Sequence, residues 1–132
     1  MAKYKTGLPR INGRTCRAWV QERSPFKNSN GQLYAEWVGL DGIENTDARY
    51  VVYSYGTHWP LFAYVPKVGL WFENTARKSP TTSKHRTYAH PCCDTVKLKL
   101  EDIFVLARDG YSDMVMARLL HGETMGGVKA NG

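Results

Sequence analysis

Acidic side chains are nearly missing from two stretches of this chain. Residues 1–30 carry seven Lys or Arg against one acid, Glu22, and residues 75–99 carry six against one, Asp94. Long apolar runs are missing too. None approaches the roughly 20 residues a membrane helix needs, so no spanning segment is expected. Met1-Ala2-Lys3-Tyr4-Lys5 is basic but has no apolar stretch behind it, which argues against a signal peptide. Cysteine is sparse, with 3 in 132 residues. Three thiols cannot all pair within one chain, and the neighbours Cys92 and Cys93 are poorly placed to bridge each other. A disulfide scaffold is therefore disfavoured, and a reduced, cytoplasmic protein is expected. The spaced ligand pairs of structural zinc sites are also lacking. His85, His90, Cys92 and Cys93 form one close cluster with Cys16 far off in sequence, and adjacent cysteines rarely both serve one tetrahedral ion. No metal or cofactor is expected, and Cys92 and Cys93 read as buried or half-buried thiols.

What is present suits a single domain with one ordinary core: 132 residues, 42% apolar. The net charge is +6, and its distribution is blocked. Residues 31–74 carry two Lys or Arg against five acids and residues 100–132 three against five, so the two basic blocks alternate with acidic ones. Clustered positive charge attracts phosphate backbones or acidic protein surfaces, although a basic face also serves simple solvation.

Hydrophobic periodicity predicts an α+β fold: an antiparallel sheet of four to five strands with C-terminal helices packed on one face. Residues 1–14, with Gly7, Pro9 and Gly13 among basic residues, read as a basic arm. Residues 15–73 read mainly as strands. Thr15 to Gln21 alternates, with Cys16, Ala18 and Val20 on one face. Leu33 to Val38, Tyr50 to Tyr55, Leu61 to Val65 and Val68 to Glu73 follow, the last two joined by a turn at Pro66-Lys67. Residues 81–121 read mainly as helices. Thr81 or Thr82 caps a short one that Pro91 ends. Leu100, Ile103, Phe104 and Ala107 mark a second, stopped by Gly110, and Ser112-Asp113 opens a third that ends at Gly122. The tail, 123–132, is Gly-rich and reads as flexible.

The chemistry concentrates between Tyr50 and His90. An aromatic strand ends in Gly56-Thr57-His58-Trp59-Pro60, and Arg77-Lys78-Ser79-Pro80-Thr81-Thr82-Ser83-Lys84-His85-Arg86 follows two apolar runs later. Free N–H groups at a helix start, several hydroxyls, Lys and Arg together suit a phosphate. The expected binding set is Thr57, His58, Arg77, Lys78, Thr81, Thr82, Ser83, Lys84, His85 and Arg86, joined by Arg10, Arg14 and Arg17, with Arg23 and Lys27 in the same basic block. Thr57 and His58 are expected beside Thr82–His85, as one polar site at the end of the sheet. His58 and His85 are the candidates for acid–base catalysis of the kind metal-free ribonucleases perform. Against this stands the plainer reading of a capped, solvated helix, with no acid inside the motif to pair with its histidine. The helix–Gly–helix at 100–121 suggests a helix-turn-helix. However, Arg118 is the only Lys or Arg in its second helix, and Asp113 sits where DNA-reading side chains belong. Aromatic sheet faces stack bases in RNA-binding sheets, but no motif of that fold occurs here.

The motif pair Tyr50-Val51-Val52-Tyr53-Ser54-Tyr55-Gly56-Thr57-His58-Trp59-Pro60 and Thr81-Thr82-Ser83-Lys84-His85 resembles a family of small uncharacterised bacteriophage and prophage proteins. The resemblance covers roughly residues 50–90. It implies an accessory protein working in the bacterial host cytosol and no particular mechanism. Such proteins commonly bind nucleic acid, or inhibit a host nucleic-acid machine or defence complex. Three readings follow. The first is a binder of nucleic acid, or of an acidic host-protein surface, with no membrane partner. The second is a small metal-independent nuclease using His58 and His85. The third is a purely structural or interaction protein with no phosphate site.

Overall fold

Tyr50-Val51-Val52-Tyr53 combines β-branched and aromatic residues, which favour a pleated strand over a helix, and every one of the four is buried. A segment buried on both faces must be central in a covered sheet. The computed structural model, which describes residues 8–39, 48–77 and 79–111, shows this arrangement. Six strands form one sheet in chain order: β1 (Phe26–Lys27), β2 (Leu33–Val38), β3 (Arg49–Ser54), β4 (Pro60–Val65), β5 (Leu70–Asn74) and β6 (Val96–Leu98). The first five run antiparallel in succession, and β6 lies parallel to β5. Six strands replace the four to five expected. The additional ones, β1 and β6, have two and three residues, too few for a hydrophobic period to register. β6 also falls within the stretch expected to be helical. A parallel neighbour needs a crossover connection, and a helix supplies it here.

Helices cover both faces. After a 3-10 turn at Gly13–Thr15 comes α1 (Cys16–Gln21), then α2 (Pro80–Ala89) in the β5–β6 crossover, and α3 (Leu100–Asp109) at the end of the described chain. Cys16, Val20 and Ala89 join Leu33, Ala35, Tyr50, Val52, Phe62 and Trp71 in one core. Ile103, Leu106 and Ala107 join Tyr34, Val51, Tyr53, Ala63, Val65 and Phe72 in the other. Strand alternation thus feeds two cores, with α1 and α2 over one and α3 over the other. The one C-terminal helix that is described, α3, contributes to one core, and α2 contributes to the other. The helix expected from Ser112 lies outside the described residues.

The expected strand at Thr15 to Gln21 is the helix α1. Cys16 and Val20 satisfy both a period-2 strand and an i, i+4 helical stripe. Ala18 decides the matter: a strand would bury it beside them, and it is exposed. The loop after α1 is pinned to the sheet by Tyr50 Oη donating to Ser24 O at 2.7 Å and Trp37 Nε1 donating to Arg23 O at 3.0 Å. Part of the expected basic arm is also tied down. Leu8 is buried, Lys27 N donates to Pro9 O, and Ile11 N donates to Lys27 O, both at 2.8 Å. Residues 1–7 lie outside the described set.

Helix ends follow the sequence closely. Ser79, not Thr81 or Thr82, caps α2: its Oγ accepts from Thr82 N at 3.1 Å, with Pro80 in the first turn. Proline suits that place because its missing N–H would have no helical partner anyway. Gly110 ends α3 with φ +89, a conformation that favours glycine. The buried Arg49 guanidinium donates to Ala107 O at 2.9 Å and Arg108 O at 2.7 Å, placing a cation at the negative end of the helix. Among the described residues no helix is long and apolar enough to cross a membrane.

Candidate nucleic-acid interface

β3 ends at Ser54, which is completely buried, with its side chain directed at α2. Its Oγ lies 2.8 Å from His85 Nδ1 and 3.4 Å from Thr82 Oγ1, and Ser79 Oγ donates to Thr82 Oγ1 at 3.2 Å. Thr82, His85 and Ala89 are the buried stripe of α2 at i, i+3 and i+7. Burial, and secondly the Lys84 charge, lowers the His85 pKa, so the ring is neutral near pH 7. Ser54, Thr82, Ser79 and His85 thus form an internal polar seam in which buried groups satisfy one another. At 5% exposure His85 is not open to a substrate phosphate.

Thr57 and His58 are exposed in the turn after β3. A Cβ at Gly56 would come within 3.3 Å of His58 Cε1, so the His58 ring folds back over that glycine. Contact between this strand end and α2 runs through Ser54 and through Tyr55, whose ring centroid is 5.7 Å from that of His85. Thr57 and His58 themselves take no part in it.

Arg86 turns inward. Its Nη1 lies 3.4 Å from Glu73 Oε2 and also donates to Asn74 O, while Nη2 donates to Ala76 O at 2.7 Å. Glu73 in turn accepts from Thr95 Oγ1 at 2.6 Å, and lies 3.4 Å from Lys97 Nζ and 3.8 Å from His90 Nε2. Burial alone would raise the Glu73 pKa. The Thr95 hydrogen bond and the charges of Lys97, His90 and Arg86 outweigh it and hold the carboxyl below its usual range. This hub fastens β5 to α2 and to the β6 approach. It also occupies Arg86, which is therefore not free for a phosphate.

The start of α2 is closed to an anion as well. Pro80 has no N–H and the Thr82 amide is taken by Ser79, which leaves at most the Thr81 amide. What remains at the surface is charge. Arg77, Thr81 and Lys84 are exposed and Ser83 is half-buried, while Lys78 lies outside the described residues.

α1 docks alongside α2 by side chains reaching carbonyls in and just beyond its last turn. Arg17 Nη2 donates to Thr87 O at 2.5 Å, Cys16 Sγ to Tyr88 O at 3.4 Å, and Gln21 Nε2 to Pro91 O at 3.2 Å. These contacts bring the segment carrying Arg14 and Arg17, from the first basic block, alongside the helix carrying Lys84, from the second. The exposed acids nearest in sequence to these segments are Glu22 and Asp94. Other members of the basic set lie elsewhere on the fold. Arg10 Nη1 donates to Ser29 O beside β1, Arg23 lies 4.5 Å from the Tyr64 ring centroid, and Lys27 is half-buried in β1. The opposite helix, α3, presents Glu101 beside the exposed Lys99, and Asp109 paired with Arg108 at 2.7 Å, so its exposed charges are mixed.

Ser54, Tyr55 and Glu73 were not among the expected site residues. Glu73 did leave a signal, as a lone acid closing an apolar strand. Cys92 and Cys93 are both exposed rather than buried, because they lie in the irregular segment between α2 and β6. Cys92 has φ +62, and its N–H donates to His90 Nδ1 at 2.9 Å. Among the described residues no group of three His, Cys, Asp or Glu is arranged to hold a metal ion. No protein-family model, curated protein or solved structure matches the chain.

Proposed function

We propose that this protein binds nucleic acid through the basic layer made by α1 and α2, as a small accessory protein of the phage type its central motifs resemble. The observation that carries the reading is the docking of α1 on α2, which sets cation-bearing segments from two sequence-distant basic blocks side by side. Arg14, Arg17, Arg77 and Lys84 are its exposed cations. Phosphate neutralisation by such cations releases counterions, so affinity depends steeply on salt. The burial of His85 and the inward turn of Arg86 favour binding over phosphodiester cleavage.

Fluorescence anisotropy with labelled single- and double-stranded oligonucleotides is the direct test. With about four phosphate contacts, the slope of log affinity against log salt is expected between about −2.8 and −3.6, a loss of roughly 50- to 150-fold between 50 and 200 mM salt. Absence of binding to every oligonucleotide at low salt overturns the reading. Capture of an acidic host protein in its place would support the inhibitor version.

A further inference from the structure

We propose that Tyr55 is a stacking platform for an unpaired base, so that the nucleic acid bound by the basic layer is single-stranded. The proposal rests on the reading above and specifies its ligand. Among the described residues Tyr55 is the one exposed aromatic, at 44%; every other is buried or half-buried. Its backbone has φ +73, a left-handed conformation that is a genuine outlier for a bulky side chain. The strain is held by a tight local frame. Tyr55 N donates to Gln32 O at 2.6 Å, Ser54 N to Trp59 O at 3.1 Å, and Trp59 N to Gly56 O at 3.1 Å. Strained residues persist where surrounding structure over-determines them, and they cluster at ligand-binding positions.

The same frame fixes the ring. One side of Tyr55 lies against His85, with centroids 5.7 Å apart and planes at 41°, and His85 is anchored by Ser54. Solvent has access to the remainder. The buried seam thus braces an aromatic from beneath. Lys84 follows on the same turn of α2, next to His85 and exposed, and Thr81 is exposed four residues earlier. The phosphates flanking the stacked base are expected to meet Thr81 and Lys84, both exposed on the helix that carries His85. This is the combination by which sequence-tolerant single-strand binders work: a basic track beside an aromatic face. A paired base inside a duplex has no free face to offer, so the platform discriminates against double strands.

The test uses the full chain and a labelled oligonucleotide of about a dozen nucleotides, alone and as its duplex, with binding read by anisotropy at about 50 mM salt. Tyr55→Ala is expected to weaken single-strand binding roughly tenfold, with Tyr55→Phe restoring it and duplex affinity unchanged. A 2-aminopurine placed in the strand should be quenched by the wild type and by Tyr55→Phe but not by Tyr55→Ala. Lys84→Glu should weaken both substrates. If Tyr55→Ala leaves single-strand affinity intact while Lys84→Glu lowers it, the stacking proposal falls and the basic-layer reading stands. Equal weakening of both substrates by Tyr55→Ala, with a lowered melting temperature, shows a structural role and also overturns the proposal. If wild type binds neither strand, both readings fall together.

Discussion

At Ser54 the hydroxyl closing β3 is 2.8 Å from a neutral imidazole, and neither group meets solvent to any useful extent. A buried histidine with a depressed pKa ties stability to pH. The unfolded chain protonates His85 near its ordinary 6.5, while the folded protein resists until lower pH. The contribution of His85 is therefore complete above about pH 6.5 and is lost as pH falls from there through the folded pKa. Glu73, also depressed, adds a second loss below its ordinary 4.5. Urea unfolding at pH 7.5, 6.5 and 5.5 should show stability dropping across this range, and His85→Gln should flatten the drop. A wild-type curve that is level from 7.5 to 5.5 would contradict this account of the seam. None of the pairing was visible in sequence, because Ser54 and His85 are 31 residues apart and meet only across the β3–α2 packing. Glu73 was more legible: an acid inside Leu-Trp-Phe-Glu-Asn must either face water or find cations, and here it finds Arg86 and Lys97.

Elements were legible where their pattern had length. Leu33–Val38, Arg49–Ser54 and Pro60–Val65 lie within a residue of the spans their periodicity gave, and the turn at Pro66-Lys67 does join β4 to β5. α3 ends at Gly110 as expected, but its buried face is Ile103, Leu106 and Ala107 with Asp102, while Leu100 and Phe104 of the expected stripe are half-buried. The failures have local causes. α1 is only six residues, so period 2 and period 3.6 fit its two buried side chains equally. β6 is three residues in a parallel pairing that no local pattern encodes. The cap of α2 lies two to three residues before Thr81 and Thr82, at Ser79, where the following Pro80 makes the stronger start signal. Alanine substitution separates them. Ser79→Ala should cost about 1 kcal/mol as a lost cap, while Thr81→Ala, at an exposed position, should stay within about 0.5 kcal/mol. Denaturant midpoints measure both, and the reverse order would place the cap elsewhere.

At the scale of the whole molecule, the chain docks α1 on α2 over one face of the sheet, so that exposed cations from two sequence-separated segments come from neighbouring helices, and it packs α3 over the other face. Sequence showed the blocks but not their meeting, since the docking of Arg17, Cys16 and Gln21 depends on carbonyls at the end of α2. Nor did it show which cations stay free. Arg86 looked like a ligand for phosphate and is instead part of the Glu73 hub, and Arg49 serves the end of α3. The central claim, that the exposed remainder acts as one interface, is tested most directly by reversing two of its charges from different blocks. Arg14→Glu with Lys84→Glu, compared with wild type in anisotropy titrations on a single-stranded oligonucleotide over a range of salt, is that measurement. The prediction is weaker binding and a log–log salt slope shallower by about two, roughly one for each phosphate contact removed. An unchanged affinity and slope would contradict the account.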